Sequence, residues 1–314
     1  MKLLYKYIVL LLLSVLAFNC DGSSSNPNMA LLALAALNQP GIEFKAVVGD
    51  SDATCGEDIT GHGDSHSSSV VTSSSTVTIQ HVAGVMPIGL KDLRFYVSEF
   101  ELVDQNDNII TLDVPNTGVW QYGGVALLDF ENGKGSCSGT TETNNFVQAS
   151  VENKTYKTLR FTLGVPESLN HIDYSVAPSP LNVSGLAWSW TMGYRFFVGE
   201  FLSNDPATIG NAAVLHMGAA GCSETSGVYT CTNSNRAVIE LTPTGGFNPF
   251  TQKVQFDLKK AVTGWDISTG SKSCHSMGAM DSATCSLVYP NFGLDYSTGN
   301  AGSTAQTVFG IISK

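Results

Sequence analysis

Six histidines, four tryptophans and seven cysteines carry most of the chemistry open to this 314-residue chain. Nucleophilic hydrolysis lacks its usual scaffold, because no G-x-S-x-G elbow occurs and the serines sit in polar runs. Zinc hydrolysis lacks H-E-x-x-H. Glu99, Glu101, Asp129 and Glu131 are acidic, but no recognisable spacing pairs them as acid and base, and Gly-rich phosphate loops are missing. A binding protein is therefore expected rather than an enzyme. Imidazole remains, and neutral imidazole suits copper, zinc or nickel. His62 and His66 fall in a Gly/Ser loop, His81 ends a strand, and His275 adjoins Cys274, where surface exposure is the default. His171 and His216 lie in more distinctive settings, Leu169-Asn170-His171 and His216-Met217-Gly218. Two histidines alone do not choose among the metals.

The cysteines speak to compartment. Lys2 and Lys6 precede an apolar run, Tyr7 to Phe18, that is too short to span a bilayer. The run ends at Cys20 and a Ser-rich stretch. This pattern resembles a bacterial lipoprotein signal, with residues 1–19 removed, Cys20 lipidated and residues 20–40 serving as tether. The other six cysteines are then an even set in an oxidising space, which reads as three disulfides. Cys222/Cys231 and Cys274/Cys285 each close a short loop, and Cys55/Cys137 is left as the long-range pair among fifteen possible connectivities. No C-x-x-C occurs to favour a thiolate metal site. Net charge is −11 with no basic run beyond the first residues, which excludes nucleic acid as a partner.

Whatever positions these groups is built from strands. Hydrophobic residues make up 43% of the chain, enough for a core, while only 14% are charged, and Ser, Thr, Gly and Asn fill the difference. Residues 29–37 are helix-prone but short. Alternation then predicts strands at 41–49, 70–80, 93–103, 125–130, 146–151, 158–163, 186–197, 212–217, 236–241, 253–257 and 306–311, with turn residues between them. The expected architecture is an all-β, antiparallel β-sandwich spanning 41–314 with long disulfide-stapled loops. Read as one continuous strand, residues 186–197 place Trp188, Trp190, Met192, Tyr194 and Phe196 on a single face.

Eight motifs in order over roughly residues 41–310 resemble the MbnP-like family, copper proteins of methanobactin operons and their relatives. They are Phe44-Lys45-Ala46-Val47-Val48-Gly49, Leu93-Arg94-Phe95-Tyr96-Val97-Ser98, Val125 to Glu131, Phe161 to Pro166, Leu169-Asn170-His171, Ser179-Pro180-Leu181-Asn182, Trp188-Ser189-Trp190 with Gly193 to Phe196, and His216-Met217-Gly218 leading to Cys222. The resemblance implies a periplasmic or cell-surface β protein encoded beside a MauG-like di-haem peroxidase. It makes His171 and His216 imidazole ligands of copper, held mainly as Cu(I). It also implies that the partner oxidises a tryptophan to kynurenine, whose arylamine joins them. Trp188 is the favoured tryptophan and Trp190 stays open. The physical logic is that indole nitrogen is a donor and no ligand until the ring is opened. The family implies copper acquisition, storage or homeostasis, and the lipoprotein signal implies attachment to a membrane, expected to be the outer membrane, through the lipid on Cys20. The competing expectation is a metal-free surface lipoprotein with a structural or adhesive role.

Overall fold

The computed structural model describes residues 40–56, 80–81, 84–85, 88–189, 191–276 and 281–314. Cys20, His62, His66, Trp190, the residue 29–37 patch and nearly all of the expected 70–80 strand lie outside them. For His81 only the backbone is described, in a two-residue strand.

Residues 40–314 form one body, built on the strands β1 (Gly41–Val48), β2 (Ile88–Val103), β3 (Val125–Asp129), β4 (Phe146–Gln148), β5 (Thr158–Leu163), β6 (Ala187–Ser189), β7 (Gly193–Tyr194), β8 (Phe197–Ser203), β9 (Ala212–Met217), β10 (Ala220–Thr225), β11 (Val228–Asn233), β12 (Ala237–Leu241), β13 (Gln252–Asp257), β14 (Lys272–His275) and β15 (Phe309–Ser313). Short helices α1 (Glu167–Asn170), α2 (Leu258–Ala261) and α3 (Ser282–Val288) fill the connections. The larger sheet runs β12-β5-β2-β8-β9-β14, with β3 also paired to β2. The smaller sheet places β1 beside β13 and β13 beside β15. The all-β sandwich expected from alternation is the fold observed. It is not wholly antiparallel: β1 pairs β13 in parallel, as β9 pairs β14. Pairs so distant in sequence are joined by crossovers, which local patterning does not reveal. Among the described residues no helix is long and apolar enough to cross a membrane.

Aromatic packing seals the two sheets. Phe44, Phe256 and Phe309 of the smaller sheet meet Phe95, Phe161 and Phe197 of the larger, with ring centroids 5.1–5.9 Å apart in the Phe44–Phe161, Phe95–Phe256 and Phe95–Phe309 pairs. Alternation decides what stands on the opposite side. On β2, Leu93, Phe95 and Val97 enter the main core, while Tyr96 points into a second cluster with Leu127, Leu186, Tyr194 and Phe196. The larger sheet is thus covered on both faces, and its outer layer contains the polar groups discussed below.

Three disulfides staple the layers: Cys55–Cys137, Cys222–Cys231 and Cys274–Cys285. They are the pairs read from the spacing. Cys222 and Cys231 face each other directly across the β10–β11 hairpin. Cys55–Cys137 closes a sequence separation of 82 residues, so it removes the most freedom from the unfolded chain. Replacing both Cys55 and Cys137 by Ser is expected to lower unfolding free energy by about 2–5 kcal/mol, read by denaturant titration, with the far-ultraviolet spectrum unchanged.

Asp129 ends β3 on the outer face, buried beside Arg94 and Glu131. Burial pushes its pKa up to about 7, with Glu131 adding to the rise and Arg94 opposing it. A carboxyl with a raised pKa keeps in the folded state a proton that the unfolded chain has already lost. Native stability therefore falls as pH rises from 3.8 to about 7. Asp129→Asn is expected to melt above wild type near pH ~8 and to lose that advantage near pH ~4, as measured by thermal scans at the two values.

Candidate metal centre

Leu215 and Met217 of β9 enter the main core, so Val214 and His216 stand on the outer face. On neighbouring β8, Phe197 and Phe201 turn inward and Val198 and Glu200 outward. The register sets His216 opposite Val198, which makes Glu200 its diagonal neighbour. His216 Nε2 lies 2.7 Å from Glu200 Oε1, and Lys91 Nζ lies 2.8 Å from Glu200 Oε2. The hydrogen bond from His216 holds the Glu200 carboxyl down to about 2, with Lys91 helping and burial opposing. His216 is only 5% exposed, and burial lowers its pKa against the pull of Glu200. The imidazole is therefore neutral with its proton on Nε2, and Nδ1 keeps a lone pair. That Nδ1 is buried without a hydrogen-bond partner.

The other neighbour of β9 is β14, paired in parallel with His216 opposite His275. The two rings meet edge to face, centroids 4.9 Å apart and planes at 84°. His275 Nδ1 lies 2.7 Å from Asp281 Oδ2, which also accepts the His275 backbone N–H at 2.9 Å. These hydrogen bonds, with one from Ser273, hold the Asp281 carboxyl below the usual range although burial opposes them. His275, expected at the surface, is half-buried in a strand against His216. Sequence reasoning missed it because the parallel pairing sets side by side residues 59 apart in the chain; its alternation with Cys274, which enters the core, was the available signal.

His171 caps the C-terminal end of α1. Its ring stacks on Tyr229 of β11, centroids 4.9 Å apart and planes at 17°. Asn170 Oδ1 accepts the Tyr194 N–H at 3.0 Å, which turns Nδ2 toward His171 Nε2 at 3.2 Å. An amide nitrogen can only donate, so His171 Nε2 accepts and the ring proton belongs on Nδ1. Cys231 Sγ is 3.3 Å from the same Nε2. Ligand atoms of His171, Cys222 and Cys231 all lie within 4.8 Å of one another. The two sulfurs are joined as a disulfide, so neither is the thiolate that a soft metal requires. As it stands this trio packs a hairpin against His171 rather than forming a thiolate site.

Between the two histidines runs the segment expected as one strand over 186–197. The structure breaks it. Residues 184–186 form a 3-10 turn, and β6 and β7 are antiparallel arms with Ala187 opposite Tyr194. Met192 N–H donates to Ser189 O and Oγ, both at 3.1 Å, and Gly193 adopts φ +80°. A Cβ at Gly193 would lie 2.5 Å from the Asn170 amide, so glycine permits both the turn and the Asn170 clamp. The shared aromatic face is consequently lost: Tyr194 and Phe196 are buried, whereas Met192 is exposed and Trp188 half-buried. Trp188 lies against Gly218, where an added Cβ would come within 2.5 Å of its Cζ3. The Arg195 guanidinium stands 5.8 Å from the Trp188 ring centre. The hairpin is thus held by the residue preceding His171 on one side and by the glycine two residues beyond His216 on the other. The two imidazoles themselves engage different immediate partners.

A sequence profile described as MbnP matches residues 38–276. Among solved structures, MbnP from Methylosinus trichosporium is similar with a TM-score of 0.66 and 24% identity, covering 88% of this chain and 98% of that one. At that identity the likeness concerns the fold. No curated protein matches.

Gly218→Ala would set a Cβ 2.3 Å from Tyr194 O and 2.5 Å from Trp188 Cζ3, so it should displace the β6–β7 hairpin together with the Trp188 ring. The expected result is an altered near-ultraviolet circular dichroism spectrum and a loss of about 1–3 kcal/mol in stability, with the far-ultraviolet spectrum retained. An unchanged near-ultraviolet signal would mean that Trp188 does not depend on this contact.

Proposed function

The chain belongs to the MbnP family, and on that footing we propose that it is an extracytoplasmic copper-binding protein, anchored to a membrane by lipid on Cys20, serving copper acquisition, storage or homeostasis. His171 and His216 are its imidazole ligands. A MauG-like di-haem peroxidase is its protein partner and oxidises Trp188, or Trp190, to kynurenine. The protein binds the metal and does not turn over a substrate.

One observation carries this reading: the hairpin bearing Trp188 is clamped between the neighbourhoods of His171 and His216, through Asn170 to Tyr194 and through Trp188 against Gly218. The donor chemistry fits a soft, low-coordinate ion. His216 offers a neutral ring with a buried, unpartnered Nδ1, and burial disfavours the protonated form that would compete with metal. Glu200 fixes the tautomer through Nε2, as carboxylates behind metal-bound histidines do. Copper supplies an ion that accepts few, soft ligands in such a setting. Oxidative opening of the indole consumes two equivalents of hydrogen peroxide: one oxygen atom goes to C2 and one to C3 as the C2–C3 bond breaks, and two waters leave. Hydrolysis then releases C2 as formate and leaves a free arylamine. Trp188 is half-buried, so a partner surface has access to the hairpin.

Anaerobic titration with Cu(I) against a competing chelator tests the metal. Wild type is expected to bind tightly, and the His171→Ala/His216→Ala double variant to bind at least about tenfold more weakly. Equal binding by the two proteins would sink the ligand assignment. Intact and peptide mass after co-expression with the peroxidase tests the modification. A gain of one oxygen and loss of one carbon is expected in the Trp188–Trp190 peptide, abolished by Trp188→Phe if Trp188 is the residue oxidised.

A further inference from the structure

We propose that His275 is an additional ligand to the ion held at His216, so that the copper site draws on two adjacent strands of the larger sheet and on a residue that neither motif around His171 or His216 contains. The inference rests on the copper reading above and extends it.

Geometry supports it first. Parallel pairing puts His216 and His275 opposite one another on the outer face, and their rings approach to 4.9 Å between centroids. A metal held between two imidazole nitrogens at about 2.0–2.1 Å from each needs those nitrogens roughly 4 Å apart, a span of the same order as the 4.9 Å between these ring centroids. Glu200 belongs to β8 and His275 to β14, the two opposite neighbours of β9. His216 is therefore backed by a carboxylate on one flank and met by an imidazole on the other.

Chemistry supports it next. Each histidine has one nitrogen committed to a carboxylate: His216 Nε2 to Glu200 at 2.7 Å, and His275 Nδ1 to Asp281 at 2.7 Å. This arrangement sets both tautomers and leaves a lone pair on His216 Nδ1 and on His275 Nε2. The His216 side chain is 7% exposed, and its Nδ1 has no hydrogen-bond partner. A buried acceptor without a donor is uncommon in folded proteins and calls for an explanation. A cation shared with His275 supplies one.

The surroundings hold the pair in place. Ser276 N–H donates to His216 O at 3.1 Å, and Ser276 Oγ accepts the Gly218 N–H at 3.0 Å. Cys274–Cys285 ties the strand carrying His275 to the helix that follows Asp281. Among the described residues, no third His, Cys, Asp or Glu joins the pair in a set of mutually close ligand atoms. Two or three imidazoles suit Cu(I) better than zinc, which takes four ligands in closed sites.

The test uses wild-type protein with Ag(I), a diamagnetic stand-in for Cu(I), followed by long-range proton–nitrogen spectra of the imidazoles. Coordination is expected to shift His275 Nε2 together with His216 Nδ1. In parallel, Cu(I) affinity and the number of imidazoles seen by X-ray absorption are measured for wild type and His275→Gln. The variant is expected to bind at least about tenfold more weakly and to lose one imidazole from the copper shell. If Ag(I) shifts His216 but not His275, and His275→Gln keeps wild-type affinity and ligand number, His275 is a packing partner and the inference fails while the copper reading stands. If wild type takes up neither Cu(I) nor Ag(I), the copper reading itself falls and the inference with it. The silver experiment needs no variant, so a poorly folding His275→Gln does not blunt it.

Discussion

Alternation across the larger sheet is the constraint on which the rest of the structure depends. Every second residue of β2, β8 and β9 must enter a core crowded with phenylalanine, and that requirement leaves no freedom about where its neighbours stand. Because Leu215 and Met217 are committed inward, His216 has to face outward; because Phe197 and Phe201 are committed, so does Glu200. A slip of one residue would put an imidazole and a carboxylate among the phenyl rings and turn the phenyl rings out. The packing between the sheets therefore sets the register of the polar layer on the far side.

That polar layer is unusual in being covered. Asp92, Asp129, Glu131 and His216 are all buried. Ionised groups in such a place require partners. Arg94 grips Asp92 through two hydrogen bonds, at 2.7 and 2.5 Å, and Glu200 receives both Lys91 and His216. Acids still outnumber the cations that meet them. Burial raises the pKa of Asp92, Asp129 and Glu131, and neighbouring carboxylates add a smaller rise in each case.

The disulfides place this layer as well as hold it. Cys222–Cys231 locks the hairpin whose Tyr229 stacks on His171. Cys274–Cys285 keeps Asp281 within reach of His275. Both side chains belong to short elements with little core of their own, where a covalent tie does what packing does elsewhere. Glycine has the matching role at the hairpin: Gly193 and Gly218 let Asn170 and Trp188 approach backbone that a larger residue would block.

Much of this was legible in the residues alone. The β class followed from alternation and turn residues, the disulfide pairs from cysteine spacing, and β5 and β9 were located to the residue. All of these are local signals, carried by neighbours in the chain. The departures are equally instructive. Apolar and aromatic residues at 186–197 read as one strand, but Ser189 and Gly193 close a turn within it, stabilised by a distant residue, Asn170. His275 looked like a surface residue until parallel pairing set it against His216, and Glu200 showed no sign of its role because a diagonal contact depends on register between strands. The sequence by itself indicated the β class and the preferred cysteine pairs, since both are signalled by spacing along the chain. Only the tertiary structure decided which histidine meets which partner, because that is settled by crossovers joining segments tens of residues apart.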